Sequence, residues 1–182
     1  MERSVYYAAV SADGFIATKD GGVEWLEPFQ SPELGYEAFL ATVTAVVMGR
    51  ATYEQSLTFG PWPYPGRRGL VVSRHPIAGL PGGVIAVQPA ELHAALVTLR
   101  AQTSGVLWIV GGGRAARACL EHGWIDELEL YVVPRLLGDG IPLFERRDGL
   151  VRLRLLETRA FGNGIVMVRH AVETGTARGA VG

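Results

Sequence analysis

Short runs of apolar residues recur along the chain, each bounded by glycine, proline or polar residues. Most of them are continuous, which is typical of strands buried on both faces of a largely parallel sheet. Between several of them, apolar residues follow helical spacing. The predicted strands are Val5–Val10, Ala45–Met48, Gly69–Val72, Val84–Val87, Val106–Val110, Leu128–Val133, Leu153–Thr158 and Ile165–Val172.

Three helices are predicted between these strands. Ser31-Pro32-Glu33 has the pattern of an N-cap, a proline at the first helical position and a first-turn acid. It opens a helix that places Leu34, Ala38 and Ala41 on one side. Strands that alternate with helices predict an α/β protein, a three-layer αβα sandwich around a mostly parallel sheet. The other two helices begin at Pro89 and Arg114 and end at Arg100 and His122, the last closed by Gly123.

The C-terminal part of the sheet follows a different pattern. The last two predicted strands alternate more clearly, and Phe161-Gly162-Asn163-Gly164 joins them, which predicts an antiparallel hairpin at the sheet edge. The 182 residues fit one domain, since single domains run to roughly 100–200 residues. We expect that domain over residues 1–172 and a flexible tail from 173 to 182, which is small and polar.

Composition narrows the classes of function. A net charge of −1 argues against broad electrostatic binding of nucleic acid or of an anionic membrane. No apolar run approaches the ~18 residues of a membrane span. The single cysteine excludes an internal disulfide, and the four histidines lack metal-ligand spacing, so no metal site is expected. The N-terminus lacks a signal-peptide pattern, which favours a cytoplasmic protein.

Candidate chemistry lies directly after the predicted strands. In an open α/β sheet, ligands bind beyond the carboxyl ends of the strands. Four such segments carry glycine, hydroxyl or arginine groups, which approach and hold phosphates. We therefore expect them to form one groove. They are Ser11–Ala17, Gly49–Glu54, Ser73-Arg74 and Gly111–Arg114.

The glycine triplet Gly111–Gly113 follows an apolar strand and leads into a helix. Glycines there let a diphosphate approach the backbone, and the N–H groups of the helix start face it. The alternative is a flexible turn. The segment also fits Gly-x-Gly-x-x-Ala, which leaves a Rossmann unit open, although the next strand ends at Val133-Pro134 without the acid that would bind a ribose.

Two further segments suit phosphate groups. Arg50 supplies charge and Thr52 a donor at a helix start, the alternative being a helix cap and a surface arginine. Ser73 and Arg74 suit the 2′-phosphate that distinguishes NADPH from NADH, the alternative being an ordinary turn.

These residues resemble a known superfamily. The segments 47–54, 71–74 and 109–113 resemble the three cofactor motifs of dihydrofolate reductase, in the same order. Ala8-Ala9 and Ile16 resemble its first strand and the mobile loop over nicotinamide. Residues 11–17 and 126–144 are more similar to the C-terminal reductase domain of the bifunctional riboflavin-biosynthesis deaminase–reductase and to its stand-alone relatives.

The resemblance implies the dihydrofolate-reductase-like fold, NADPH as hydride donor, a small heterocyclic substrate and a homodimer. In the riboflavin branch the substrate is an aminouracil with a phosphorylated ribose. No His-x-Glu with Pro-Cys-x-x-Cys occurs, so we expect the reductive step alone. The cofactor residues implied are Ala9, Ile16, Gly49, Arg50, Thr52, Ser73, Arg74, Gly111, Gly112, Gly113 and Arg114.

Hydride transfer requires a proton or a polarising donor at the acceptor. Glu33 lies as far before Gly49 as the catalytic carboxyl of dihydrofolate reductase lies before its equivalent glycine, and Glu37 lies one helical turn further on the same face. Asp13 is the candidate that the riboflavin branch favours. The alternatives are a first-turn acid for Glu33, a solvated helix face for Glu37 and a turn anchor for Asp13.

Two residues are candidates for the substrate. Arg67 matches an anion-binding arginine of dihydrofolate reductase, and Trp25 matches its substrate loop, although a packing role is open for the tryptophan. Three functions stay open: an NADPH-dependent reductase of the riboflavin branch, a dihydrofolate or pterin reductase, and an NADPH-binding module without turnover.

Overall fold

Strands and helices alternate along most of the chain. The computed structural model describes residues 2–146 and 148–173. Short 3-10 helices lie at Glu24–Phe29, Pro32–Leu34 and Pro89–Glu91. The strands are β1 (Arg3–Ser11), β2 (Phe15–Ala17), β3 (Val43–Gly49), β4 (Arg68–Val72), β5 (Val84–Val87), β6 (Val106–Gly111), β7 (Glu127–Val133), β8 (Ile141–Pro142), β9 (Arg152–Ala160) and β10 (Val166–Glu173). The α-helices are α1 (Tyr36–Thr42), α2 (Arg50–Thr58), α3 (Leu92–Gln102) and α4 (Gly113–Glu121).

Eight strands form the central sheet, in the order β5-β4-β3-β6-β1-β7-β10-β9. The first six are parallel to their neighbours, and β10 is antiparallel to both β7 and β9. The mostly parallel sheet and its antiparallel C-terminal hairpin are thus confirmed. Asn163 fixes the hairpin turn, because its carboxamide oxygen accepts from the Ile165 N–H and its amide donates to the Phe29 carbonyl.

Helices cover both faces of the sheet and make the third layer that the sequence predicts. Val46 and Val47 are adjacent in β3, point to opposite faces and are both fully buried. Phe39 of α1 and Tyr53 of α2 pack with the Val46 face. The leucines of α3 and Cys119 of α4 pack with the Val47 face.

The first predicted helix is wrong in detail. Ser31 does cap, since its hydroxyl accepts from the Glu33 N–H at 3.3 Å. The helical turn nevertheless ends at Gly35, which has a φ of 75°, and α1 starts anew behind it. Because a left-handed residue redirects the chain, Phe39 faces the core, whereas Ala38 and Ala41 are exposed.

The other helix predictions agree with the structure. The second spans a 3-10 turn and α3, and the third is α4, with Gly123 in the left-handed region behind it. The Rossmann alternative is wrong, because β1 lies between β6 and β7 in the sheet, whereas a βαβ unit of that type pairs consecutive strands. Of the predicted tail, Glu173 ends β10 and residues 174–182 lie outside the described part of the chain.

Candidate functional site

Four neighbouring parallel strands, β4, β3, β6 and β1, end at one edge of the sheet. All predicted phosphate segments follow these four ends, so the topology brings them together. Met48 of β3 pairs with Gly111 of β6. A β-carbon on Gly112 would lie 3.2 Å from Thr52 Oγ1 and 3.6 Å from the Gly49 nitrogen. We call Gly49, Thr52, Gly111 and Gly112 the glycine cradle.

Two helices begin at the glycine cradle. Gly49 precedes α2 and Gly112 precedes α4, and neither helix has a side-chain cap. The first N–H groups of a helix lack partners inside it and carry about half a positive charge. Two such termini beside each other form a pocket for anions of the phosphate type. Gly112 needs to be glycine, because its φ is 84° and its side-chain position faces Thr52.

Two predicted arginines flank the cradle. Arg50 donates from Nε to Glu54 at 2.7 Å, and Arg114 donates from Nε to Glu145 at 2.7 Å. Their side chains are 42% and 81% exposed, so both pairs are surface pairs. Because each pair uses only Nε, the terminal nitrogens of both guanidinium groups are available to an anion.

Ser73 and Arg74 follow β4, on the far side of the cradle from β1. The Ser73 hydroxyl donates to the His75 carbonyl at 2.7 Å and accepts from the His75 N–H at 3.2 Å. Its only proton is therefore used inside its own turn. Arg74 is exposed. Of this pair, Arg74 is the residue with donors for a phosphate.

Asp13 joins two loops of the site. Its carboxylate accepts from the Ser11 hydroxyl at 2.6 Å and from the backbone N–H groups of Leu137 and Gly138 at 3.2 and 2.7 Å. The bond from Ser11 and those from the two backbone groups hold its pKa below the ordinary value. The structure places Asp13 as an anchor, which is the alternative that the sequence left open.

The anchored loops form a small second sheet. β2, which carries Ile16, pairs with β8, and the Leu143 N–H donates to the Gly14 carbonyl at 3.0 Å. Gly113 lies under this pair, since a β-carbon there would lie 2.8 Å from the Pro142 carbonyl oxygen. The absence of a side chain on Gly113 thus lets α4 approach β8.

A cavity of about 740 Å³ opens at the ends of β1 and β7, one strand away from β6. This volume is in the range of small-molecule sites, which hold roughly 300–1,000 Å³. Aromatic and aliphatic side chains make up most of its wall. Its lining residues are Tyr7, Ala9, Leu26, Phe29, Gln30, Ser31, Pro32, Leu34, Tyr36, Glu37, Tyr131, Val133 and Ile165. We call it the aromatic cavity.

Three of the residues that line the aromatic cavity are tyrosines. The Tyr131 hydroxyl lies 2.9 Å from the Leu34 carbonyl oxygen and 3.0 Å from Glu129 Oε1. Burial raises the pKa of Tyr7 to about 12 and also raises that of Tyr131. Both hydroxyls therefore keep their protons at neutral pH. Burial also raises the pKa of Glu129, which lies behind Tyr131.

The predicted substrate and catalytic residues divide. Glu37 lines the aromatic cavity, whereas Glu33 and Trp25 do not, and the predicted cofactor residue Ala9 also lines it. Because Gly35 separates Glu33 from α1, the prediction that Glu33 and Glu37 share one helix face is wrong. Trp25 packs against the core instead, with its indole N–H buried and without a partner in the described part of the chain.

Arg67 has a structural position. Its guanidinium donates to the carbonyl oxygens of Val43 at 3.0 Å and Leu40 at 2.8 Å, with a longer bond to Pro65 at 3.4 Å. Leu40 and Val43 lie at the end of α1, where helix carbonyls lack partners. Arg67 therefore holds the end of the helix that carries Glu37.

The sequence reasoning missed Tyr7 and Tyr131. The signal for both was strand periodicity, since side chains two residues apart face the same side. Ala9 was predicted at the site, and Tyr7 lies two positions before it on β1. Tyr131 lies two positions before Val133 on β7, and the register pairs Ala9 with Tyr131.

The part of the chain that the structure describes contains neither a metal-binding cluster nor a membrane-spanning helix. Over residues 2–146 and 148–173, no group of three or more His, Cys, Asp or Glu could hold a metal ion. In the same ranges, no helix is long and apolar enough to cross a membrane.

Comparison with known proteins identifies the family. The RibD C-terminal domain family matches residues 69–167. The chain belongs to this family. Its relative YwjB, an uncharacterized protein of Bacillus subtilis (strain 168), is 34% identical over 168 residues, which cover 91% of this chain and 96% of YwjB. The expected kinship with riboflavin-type reductase domains is confirmed.

Solved structures share the fold of this RibD C-terminal domain. A putative riboflavin biosynthesis protein from Shewanella sp. PV-4 superposes with a TM-score of 0.82 at 27% identity, over 94% of this chain and 99% of that one. Dihydrofolate reductase from Enterococcus faecalis, complexed with NADP(H), superposes with a TM-score of 0.66 at 20% identity. The match covers 93% of this chain and 96% of the dihydrofolate reductase. At that identity the second match shows the fold alone, and the dihydrofolate-reductase-like fold is confirmed.

Proposed function

We propose that the protein is an NADPH-dependent reductase of a small heterocyclic substrate. The observation that carries the proposal is the glycine cradle, where two uncapped helix starts meet one strand away from the aromatic cavity. A diphosphate on the cradle would leave one end of a dinucleotide free to reach Ala9, which lines the cavity. Membership of the RibD C-terminal domain family supports the same function.

The residues present fit NADPH. The cradle has the backbone donors that a diphosphate requires, and Arg50 and Arg114 add charge beside it. We assign the 2′-phosphate, which distinguishes NADPH from NADH, to the exposed Arg74 behind β4. The dihydrofolate reductase with the same fold was solved with NADP(H). When bound, the cofactor would supply the hydride.

The aromatic cavity would hold the acceptor. Tyr7 and Phe29 give flat apolar contacts, which orient a ring and exclude water. Reduction of a C=N or C=O bond also requires a proton. Glu37 is the carboxyl group that lines the cavity, so we propose that it relays a proton from solvent to the acceptor.

The proposal is tested by following NADPH oxidation at 340 nm with two substrates. These are the phosphoribosylaminouracil of the riboflavin branch and dihydrofolate, each compared with a heat-inactivated control. Turnover of one and not of the other would separate the riboflavin-type reductase from the folate reductase. NADPH binding without turnover of either would favour a binding module or another substrate. Failure to bind NADPH would overturn the proposal.

We also propose that the protein acts as a homodimer in the cytoplasm, where NADPH would be available. Four large apolar side chains of the C-terminal hairpin, on β9 and β10, are 37–56% exposed. Exposed apolar side chains on an edge hairpin are typical of association surfaces. A monomeric mass in light scattering would contradict the dimer. The four are Leu153, Leu155, Leu156 and Val166.

A further inference from the structure

The charges around the aromatic cavity distinguish between classes of substrate. Of its thirteen lining residues, all within the described part of the chain, Glu37 is the one with a charged side chain, and none is lysine, arginine or histidine. A phosphate or carboxylate against this wall would lose part of its hydration and meet a carboxylate instead of a cation. Burial of an anion without a partner is strongly unfavourable.

Three arginines near the cavity do not line it, although the charge of Arg67 acts on Tyr36 of the wall. Arg67 is held by the backbone carbonyls at the end of α1. Arg135 lies over the ring of Phe29, 5.5 Å from its centroid, and Arg159 lies over Phe161 at 4.6 Å. Arg135 and Arg159 pack on aromatic faces and neither lines the cavity. Arg135 is the closest candidate for an anion at the mouth, because Phe29 belongs to the wall.

The remaining wall favours flat rings. Tyr7 stacks on Phe39 at 4.3 Å, and the Tyr131 ring lies 4.9 Å from that of Tyr7. Leu26 and Ile165 add aliphatic surface. Aromatic and aliphatic walls of this kind bind planar apolar ligands, with hydroxyls at the edge to orient them.

We propose that the aromatic cavity takes an uncharged aromatic or heteroaromatic ring and discriminates against phosphorylated substrates. This inference rests on the proposed function for the role of the cavity, and it departs from the phosphoribosyl substrate that the family resemblance implies. A reductase with this cavity would act on a free heterocycle or a nucleoside and not on a nucleotide.

The test compares two ligands that differ only in the phosphate group. 1-Naphthol and 1-naphthyl phosphate are titrated into the full chain at pH 7, and binding is followed by calorimetry and by quenching of tyrosine and tryptophan fluorescence. We expect 1-naphthol to bind at least about tenfold more tightly, because the buried phosphate has no cation. Tighter or equal binding of the phosphate, or no binding of either compound, would overturn the inference.

Two variants locate the discrimination. Glu37→Gln should improve the Kd of 1-naphthyl phosphate relative to that of 1-naphthol by roughly three- to tenfold, because one like charge is removed. Arg135→Ala should leave the ratio of the two Kd values unchanged. A selective loss of phosphate binding in Arg135→Ala would instead identify a phosphate site at the mouth and contradict the proposal.

Failure of this inference differs from failure of the proposed function. NADPH binding is measured on the same preparations without either naphthyl compound. If NADPH binds and 1-naphthyl phosphate binds more tightly than 1-naphthol, the reductase proposal stands and the inferred substrate class is wrong. If 1-naphthol binds more tightly than 1-naphthyl phosphate and NADPH does not bind, the cavity inference stands and the reductase proposal is wrong.

Discussion

The carboxylate of Asp13 accepts a hydrogen bond from the backbone N–H of Gly138 at 2.7 Å and thereby ties the loop after β1 to the loop after β7. The two residues are 125 positions apart in the chain. The tie holds β2 against β8 and so fixes the loop that carries Ile16 beside the site. Asp13 therefore acts through the loops that it positions.

Asp13→Asn should lower the melting temperature at pH 7, because the ionised carboxylate accepts three hydrogen bonds in the folded protein. The pKa of Asp13 is held below 3.8, mainly by the Ser11 hydroxyl. A carboxyl group whose pKa is lower in the folded than in the unfolded protein stabilises the fold at a pH above its unfolded-state pKa. This stabilisation is lost as the pH falls through the folded-state pKa. The difference between variant and wild type should thus shrink below pH 3.8.

Thermal denaturation followed by circular dichroism at pH 7 and at pH 3 checks this expectation. The control is Glu33→Gln, which also removes one negative charge, but from an exposed side chain that does not join two loops. Equal melting temperatures of Asp13→Asn and wild type at pH 7 would contradict the anchoring role.

Arg50→Ala should weaken NADPH binding by about 1–3 kcal/mol, which is roughly 5- to 150-fold in Kd, through loss of a charged hydrogen bond. The matched control is Arg117→Ala. Arg117 forms the same i,i+4 pair with glutamate at 2.7 Å, but lies within α4, away from the cradle. Calorimetric titration of both variants decides the matter, and an unchanged Kd in Arg50→Ala would remove this residue from the site.

The preference for NADPH over NADH should depend on Arg74 more than on Ser73. The hydroxyl of Ser73 is used by its own turn, whereas Arg74 is exposed. We expect Arg74→Ala to reduce the ratio of the Kd of NADH to the Kd of NADPH by about tenfold, as for one charged contact to phosphate. Ser73→Ala should change it by less. Equal affinities for both nucleotides in the wild type would count against this assignment.

Glu37→Gln should lower the rate of NADPH oxidation by about 100-fold or more, the usual loss when a general acid is removed. Glu33→Gln should retain near-wild-type activity, because Glu33 lies outside the aromatic cavity. A pH profile of kcat for both variants distinguishes loss of a proton donor from loss of folding. If Glu33→Gln loses the rate and Glu37→Gln does not, the assignment of the proton donor is reversed.

The core strands were predictable because buried parallel strands consist of continuous apolar runs. Val84–Val87 has the bounds that the sequence predicts, and β6 extends only one residue beyond its predicted run. The order of the strands follows from the family resemblance, and with it the meeting of Gly49 with Gly112. That meeting depends on a sheet neighbour distant in sequence, which periodicity alone does not indicate.

Three features escaped prediction for physical reasons. The left-handed conformation of Gly35 divides the first helix, and composition does not reveal which glycines adopt it. β2 and β8 are three and two residues long, too short for a hydrophobic pattern, and Asp13 joins their loops. The aromatic cavity depends on which face of β1 and β7 remains uncovered at their ends, and this follows from tertiary packing.

The Kd of NADPH for wild type, Gly112→Ala and Gly123→Ala tests whether Gly112 and its neighbours hold the diphosphate of NADPH, as we propose. Both glycines have positive φ, at 84° and 70°, at opposite ends of α4. Each substitution should cost roughly 1–2 kcal/mol of stability through backbone strain. Only a β-carbon on Gly112 enters the cradle, 3.2 Å from Thr52 Oγ1.

We expect wild type and Gly123→Ala to bind NADPH equally and Gly112→Ala to bind it at least about tenfold more weakly, since the diphosphate loses its close approach to the backbone. Equal binding by all three proteins, or no binding of NADPH by the wild type, would show that the glycine cradle does not hold the diphosphate.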